Sequence, residues 1–159
     1  MINKFEGRYR FLSNFYPCKI EHKGIIYPSV EHFYVAMKVD TIQLINGVHY
    51  NAIDFREMIS KIKDPSDVKK IGHKIKLRKN WDSKRLEFMN WAVREKFKDE
   101  KLADLLLSTG DKMLIEGNWW HDNFYGSCTC NKCVNKGENN LGKILMKIRE
   151  ELLEKTFNK

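Results

Sequence analysis

Short apolar groups alternate with turns over residues 5–28, and farther along the chain apolar residues recur mostly at helical spacing. Lys19-Ile20-Glu21-His22 and Ile25-Ile26-Tyr27, separated by Lys23-Gly24, have the pattern of a hairpin. Pro28 lacks a backbone donor and Ser29 can accept a first-turn amide, so a helix is expected from Ser29 to about Val39. Asn46-Gly47 marks a turn, and Phe55, Met58, Ile59 and Ile62 trace a helix face. Asp64-Pro65-Ser66 opens a short helix through Ile71 and Ile75. The long helix is expected over Trp81 to Phe97, with Asp82 or Ser83 near its start.

Leu102, Leu105 and Leu106 place a further helix over Lys101 to Leu107, closed by Thr109-Gly110. Met113-Leu114-Ile115-Glu116 reads as a short buried strand. From Asn140, the residues Leu141, Ile144, Leu145, Ile148 and Leu152 form a wide apolar stripe on a terminal helix. The fold class expected is α+β: a single, predominantly helical domain over 1–159 with a small antiparallel sheet, residues 155–159 fraying.

Composition adds a partner class. Of 159 residues, 42% are hydrophobic and 31% charged, which excludes wholesale disorder. Lys and Arg (29) exceed Asp and Glu (21), a formal net charge of +8 that favours anionic partners such as phosphates, nucleotides or nucleic acid. The lysines are scattered, so solubility alone also accounts for them. The start Met-Ile-Asn-Lys carries no signal-like apolar core and no run approaches a membrane span, so no membrane partner is expected and the cytoplasm is the expected location. Nothing in the pattern sets an oligomeric state.

Two groups of residues suggest chemistry. Glu31 and Lys38 lie seven residues apart on the helix from Ser29. At about 100° per residue they return to nearly the same side, roughly 10 Å apart along the axis. An acid, an amine and Tyr34 would share one stripe; the plainer alternative is two solvated charges over a packed Phe33, Val35 and Met37. Cys128, Cys130 and Cys133 form C-x-C-x-x-C, which could seat a structural zinc with His121, His22 or Cys18 as fourth ligand. Reduced, metal-free thiols are the alternative. Between these groups, Gly117 to Gly126 holds too many aromatics for a plain loop and too many amides and acids for core.

Several blocks match a known family in order. They are Arg10-Phe11-Leu12-Ser13-Asn14-Phe15-Tyr16-Pro17, then Tyr27-Pro28-Ser29-Val30-Glu31-His32-Phe33-Tyr34 with Ala36 and Lys38. Gly72, Trp81, Met89, Lys96-Phe97, Leu105-Leu106 and Thr109-Gly110 follow. Glu116, Asn118, Asp122, Gly126, Gly137, Asn139, Asn140-Leu141-Gly142, Leu145-Met146 and Arg149 complete the pattern. On these residues the chain resembles the NADAR superfamily, also called the YbiA-like or riboflavin-intermediate N-glycosidase family. Tyr125 departs from the tryptophan usual before the glycine, keeping an aromatic plate of different area.

The resemblance implies a YbiA-like fold and cleavage of an N-glycosidic bond between ribose and a nitrogenous base. Two substrates follow from it: ADP-ribose on guanine of nucleic acid, taken first, and phosphoribosylated riboflavin-pathway intermediates. It also suggests functional pairing with a guanine ADP-ribosyltransferase. Such chemistry must stabilise a cationic ribosyl group, help the base leave and supply a nucleophile. Lys38 is the candidate nucleophile, forming a Schiff base with the opened sugar; Glu31 would orient it or move its proton, and Asp122 would be general acid or base. Ser13, Asn14 and Asn118 would bond ribose or base edges, and Phe15, Trp81, Trp119 and Tyr125 would offer aromatic faces. Glu116, at a strand end, joins the binding set, with pairing to Arg149 or a lysine as its alternative. The alternative for Asn14 is a turn cap, and for Trp81 a core anchor. No cofactor is expected to be required for cleavage. A non-catalytic module binding ADP-ribose or a nucleotide is the rival class, and a lysine-rich nucleic-acid binder with a cysteine-bound metal ranks third.

Overall fold

Lys23 and Gly24 carry φ values of 49° and 81°, the backbone of a tight two-residue turn. They join β1 (Ile20–His22) to β2 (Ile25–Tyr27), antiparallel with Ile20 opposite Tyr27. The hairpin expected from the sequence is therefore formed. The computed structural model describes residues 1–134 and 136–159. Two compact units divide the chain: Asn14–Lys96 forms one, and Met1–Ser13 with Phe97–Lys159 the other.

In the Asn14–Lys96 unit, α1 (Val30–Met37) is the central element. Ser29 caps it, accepting the His32 amide at 3.2 Å, as a serine before a helix should. Within α1 only Glu31 escapes full burial, because α2 (Ala52–Ser60), α3 (Pro65–Gly72) and α4 (Trp81–Lys96) all pack against it. Burying side chains such as Phe33 and Met37 contributes about 1.5–3 kcal/mol each. His32 is held at both nitrogens: Nε2 meets the Ile62 carbonyl at 2.6 Å and Nδ1 meets the Ser29 hydroxyl at 2.6 Å. A carbonyl can only accept, so Nε2 carries the proton and Nδ1 accepts from Ser29.

A second hairpin accompanies Asn46-Gly47, where the sequence pattern indicated only a turn. It pairs β3 (Gln43–Ile45) with β4 (Val48–Tyr50). Its anchor is tertiary: the buried Gln43 amide bonds both the carbonyl and the amide of Lys76, at 3.0 and 2.9 Å. α3 stops at Gly72, short of the expected Ile75, with His73 as its C-cap.

In the other unit a 3-10 helix (Gly7–Leu12) precedes α5 (Glu100–Leu107), which Asp99 caps through the Leu102 amide. β5 (Gly117–Asn118) and β6 (Ser127–Cys128) pair in parallel, and α6 (Asn140–Phe157) closes the chain. One expectation needs correction. The strand read over 113–116 is reduced to a parallel bridge between Leu114 and Ile2, because the backbone there turns into the loop after one pairing. The terminal helix runs to Phe157, the hydroxyl of Thr156 bonding the Leu152 carbonyl at 3.0 Å. The α+β class stands, with helices predominant and, among the described residues, the sheet split into three two-stranded pieces, one of them parallel. Among the described residues no helix is long and apolar enough to cross a membrane.

Candidate functional site

Lys38 sits at the C-cap of α1, where its own amide bonds Val35 and its carbonyl accepts from Arg78 at 2.8 Å. Its ammonium lies 5.4 Å from the Tyr34 ring centre and 5.9 Å from that of Trp81, and it donates to the Gly72 carbonyl at 3.4 Å. Three helices thus box one amine. Burial pushes its pKa below the usual 10.5; the nearby Glu31 carboxylate pulls it back up, and Lys69 pushes it down again. An amine in such a box holds its proton less firmly than a surface lysine, the property a nucleophilic lysine needs.

Gly72 makes the box possible. A Cβ built there would come 2.9 Å from Val35 Cγ2 and 3.4 Å from Lys38 Nζ. Only a residue without a side chain lets α3 close this tightly on α1.

The expected stripe of acid, amine and aromatic is therefore present, with Glu31 in the first turn and Lys38 at the end of α1. Asn14 joins it from the chain before β1: its carbonyl accepts the Glu31 amide at 3.1 Å, and its side chain points at Met89 Sδ, 3.5 Å away. The Asn14 backbone carbonyl therefore caps the first turn, while its side chain turns toward α4. Phe15 follows, with the Lys69 ammonium 5.9 Å from its ring centre. Trp81 is only 5% exposed, stacked on Phe88 at 6.0 Å and tilted against Tyr34 at 5.0 Å. It is a core anchor that walls in Lys38; its burial leaves no open face for a base.

Sequence reasoning passed over Lys69 and His73. Both act electrostatically with Lys38: burial lowers the His73 pKa, and Lys38 and Lys69 lower it further. Lys69, close enough to act on both Lys38 and His73, is a cation suited to a phosphate. The only signal available was helical spacing on α3, which many lysines of this chain share.

In the other unit, Ser13 closes the 3-10 helix through its amide on Arg10. Asn118, expected to touch substrate, is 4% exposed and committed to the loop: Nδ2 donates to the Asp122 carbonyl at 2.7 Å and Oδ1 accepts the Asp122 amide at 3.1 Å. Both ends of its side chain thus help to close the loop. Asp122 Oδ1 accepts the amides of Phe124 and Tyr125 at 3.1 and 3.0 Å. Tyr125 stands edge-on to Phe124, and Trp119, 75% exposed, is an open plate set edge-on to Trp120. Glu116 is tied through its amide to Asn139 Oδ1 at 3.0 Å, while Arg149 donates to the Thr109 hydroxyl at 2.8 Å.

His121, Cys128, Cys130 and Cys133 place one nitrogen and three sulfurs within 4.8 Å of one another. These residues could hold a metal. Of the three candidates for a fourth ligand, His121 is the one with the cysteines; His22 packs edge-on against Phe33 and Trp91, and the Cys18 amide bonds the Pro28 carbonyl.

Comparison with known proteins matches residues 2–153 to the NADAR domain. A riboflavin biosynthesis protein of Vibrio vulnificus is 36% identical over 151 residues, covering 91% of this chain but 36% of that longer protein. An N-glycosidase of Nostoc punctiforme is 33% identical over 147 residues, 91% of this chain and 86% of that protein. The N-glycosidase YbiA of Escherichia coli is 31% identical over 151 residues, 91% of this chain and 82% of that one. The NMR structure of Escherichia coli YbiA superposes with a TM-score of 0.74 at 29% identity, covering 100% of this chain and 90% of that chain.

Proposed function

Because the chain belongs to the NADAR domain family, we propose that it is an N-glycosidase acting on the bond between a ribose carbon and a base nitrogen, with Lys38 as the reacting amine. The observation that carries this reading is the desolvated Lys38 ammonium between Tyr34 and Trp81 with Glu31 acting on it. Plain recognition of a nucleotide has no use for an amine whose proton is loosened by burial.

In the proposed step the deprotonated Lys38 nitrogen attacks the anomeric carbon. The C–N bond to the base breaks, and the base leaves with its electron pair and takes up a proton. Lys38 nitrogen loses a proton, the ring oxygen parts from the anomeric carbon and is protonated, and an imine joins Lys38 to the open sugar. Water then adds to the imine carbon, returning the amine and the free sugar. Glu31 moves the lysine proton; Asp122 keeps the acid or base role that the family resemblance implies for it. Lys69 holds phosphate. No step of this chemistry passes through the histidine–cysteine cluster.

For the substrate, ADP-ribose on guanine of nucleic acid is the first reading, supported by the net charge of +8. Phosphoribosylated riboflavin-pathway intermediates are the second, favoured by the name of the Vibrio relative. Incubation with each at matched concentration, followed by mass analysis of both products, separates them. Faster base release from the riboflavin intermediate reverses the order. Tight binding with no release from either points to a nucleotide-binding module.

A further inference from the structure

The C-x-C-x-x-C run folds back on itself around His121. Cys128 lies buried in β6, its amide held by Asn123 Oδ1 at 2.9 Å. The Cys133 and Val134 amides both bond the Cys130 carbonyl, at 3.2 and 3.0 Å, making the tight turn that brings Cys133 back toward Cys130. His121 joins them with a left-handed backbone, φ 68°. Its Nδ1 lies 3.4 Å from Cys130 Sγ, 3.4 Å from Cys133 Sγ and 3.8 Å from Cys128 Sγ.

The three nitrogen–sulfur spacings are close to the edges of a zinc coordination tetrahedron. With Zn–S of about 2.3 Å and Zn–N of about 2.0 Å, a tetrahedron has N···S edges of about 3.5 Å and S···S edges of about 3.8 Å. All four cysteines of the chain are free thiols, so no disulfide accounts for the gathering. Hydrogen bonding accounts for it poorly, because one imidazole nitrogen cannot serve three sulfurs at once.

We propose that His121, Cys128, Cys130 and Cys133 bind one zinc ion as a closed, four-ligand structural site that clasps the loop from Gly117 to Val134. A three-sulfur, one-nitrogen tetrahedron suits zinc among the common divalent ions. With four protein donors, no position is left for water or substrate, so the ion acts by tethering. It fixes the residues on either side of His121: the exposed Trp119 and Trp120 pair and Asp122. The site stands on its own geometry, independent of the reaction proposed above.

Metal analysis of untagged protein, purified without chelator after zinc-replete expression, is expected to find about one zinc per chain. Less than about one in ten, or another metal in its place, overturns the proposal. Cobalt-substituted protein should show the intense visible bands of a tetrahedral thiolate site; weak octahedral bands overturn the four-ligand geometry. Cys130→Ser should lose most of the metal while Cys18→Ser keeps it. If Cys130→Ser does not fold, the wild-type chain supplies the test. Stripping zinc with a strong chelator should lower its melting temperature, and re-adding zinc should restore it. An unchanged melting temperature overturns the clasp.

Discussion

Gly72 and Lys38 meet across two helices: the glycine carbonyl accepts from the lysine ammonium at 3.4 Å, and the missing Cβ of Gly72 leaves the room in which that ammonium sits. Gly72→Ala would place a methyl 2.9 Å from Val35 Cγ2. Val35 is fully buried, so α3 must move away or Val35 must leave its rotamer. Overpacking of this kind costs about 1–3 kcal/mol. Denaturant unfolding should show that loss, with turnover reduced more than substrate binding because the Lys38 box is opened.

Lys38→Ala should nearly abolish turnover while largely preserving ligand binding. Lys38→Arg keeps the charge but cannot readily deprotonate, so it should fail to rescue. Borohydride added during turnover should trap a ribosyl adduct on Lys38. If Lys38→Arg stays active and no adduct forms, water is the nucleophile and Lys38 only neutralises phosphate.

The pH dependence of turnover has a defined sign. Burial lowers the Lys38 pKa from 10.5, and the reacting form is the neutral amine. The rate should therefore rise with pH, the ascending limb having its midpoint below 10.5. Glu31→Gln removes the charge that raises this pKa, so the midpoint should move lower still. A profile unaltered by Glu31→Gln separates the two residues functionally.

Asp122→Asn retains an Oδ1 acceptor for the Phe124 and Tyr125 amides but no longer titrates. Melting temperature should hold while turnover falls by about 10²–10⁴-fold, the usual contribution of a general acid or base. Asp122→Ala should lose stability as well, by about 1–3 kcal/mol for the stranded amides. Full activity in Asp122→Asn makes the residue a loop-former alone.

Stability should fall as the medium is acidified from neutrality. Burial lowers the pKa of His32 from 6.5, and the same holds for His22 and His73. Above 6.5 both folded and unfolded chains carry neutral imidazole. As pH falls through that value, the unfolded chain takes up protons that the folded chain refuses, so unfolding becomes easier until the folded-state pKa is reached. Melting temperatures between about pH 7.5 and 5.5 read this drop above the carboxylate range. His32→Gln should lessen the slope and cost about 1–3 kcal/mol at all pH values, since the Ser29 hydroxyl and Ile62 carbonyl lose a fitted partner.

Local chemistry is what the sequence determined unaided. Pro28-Ser29, Asp64-Pro65 and Lys23-Gly24 announced their helix starts and turn through backbone angle and capping alone, interactions that reach only a few residues. The seven-residue spacing placed Glu31 and Lys38 on one stripe for the same reason. Tertiary structure decided the rest. Whether Lys38 faced water or a box depended on Trp81 and Gly72, more than thirty residues away, because desolvation comes from whatever packs overhead. Asn118 closes its loop because its partner is the backbone of Asp122. His121 was chosen over His22 and Cys18 by a left-handed turn at its own backbone and a return turn at Cys130–Cys133, a coincidence of two loop geometries that no spacing encodes.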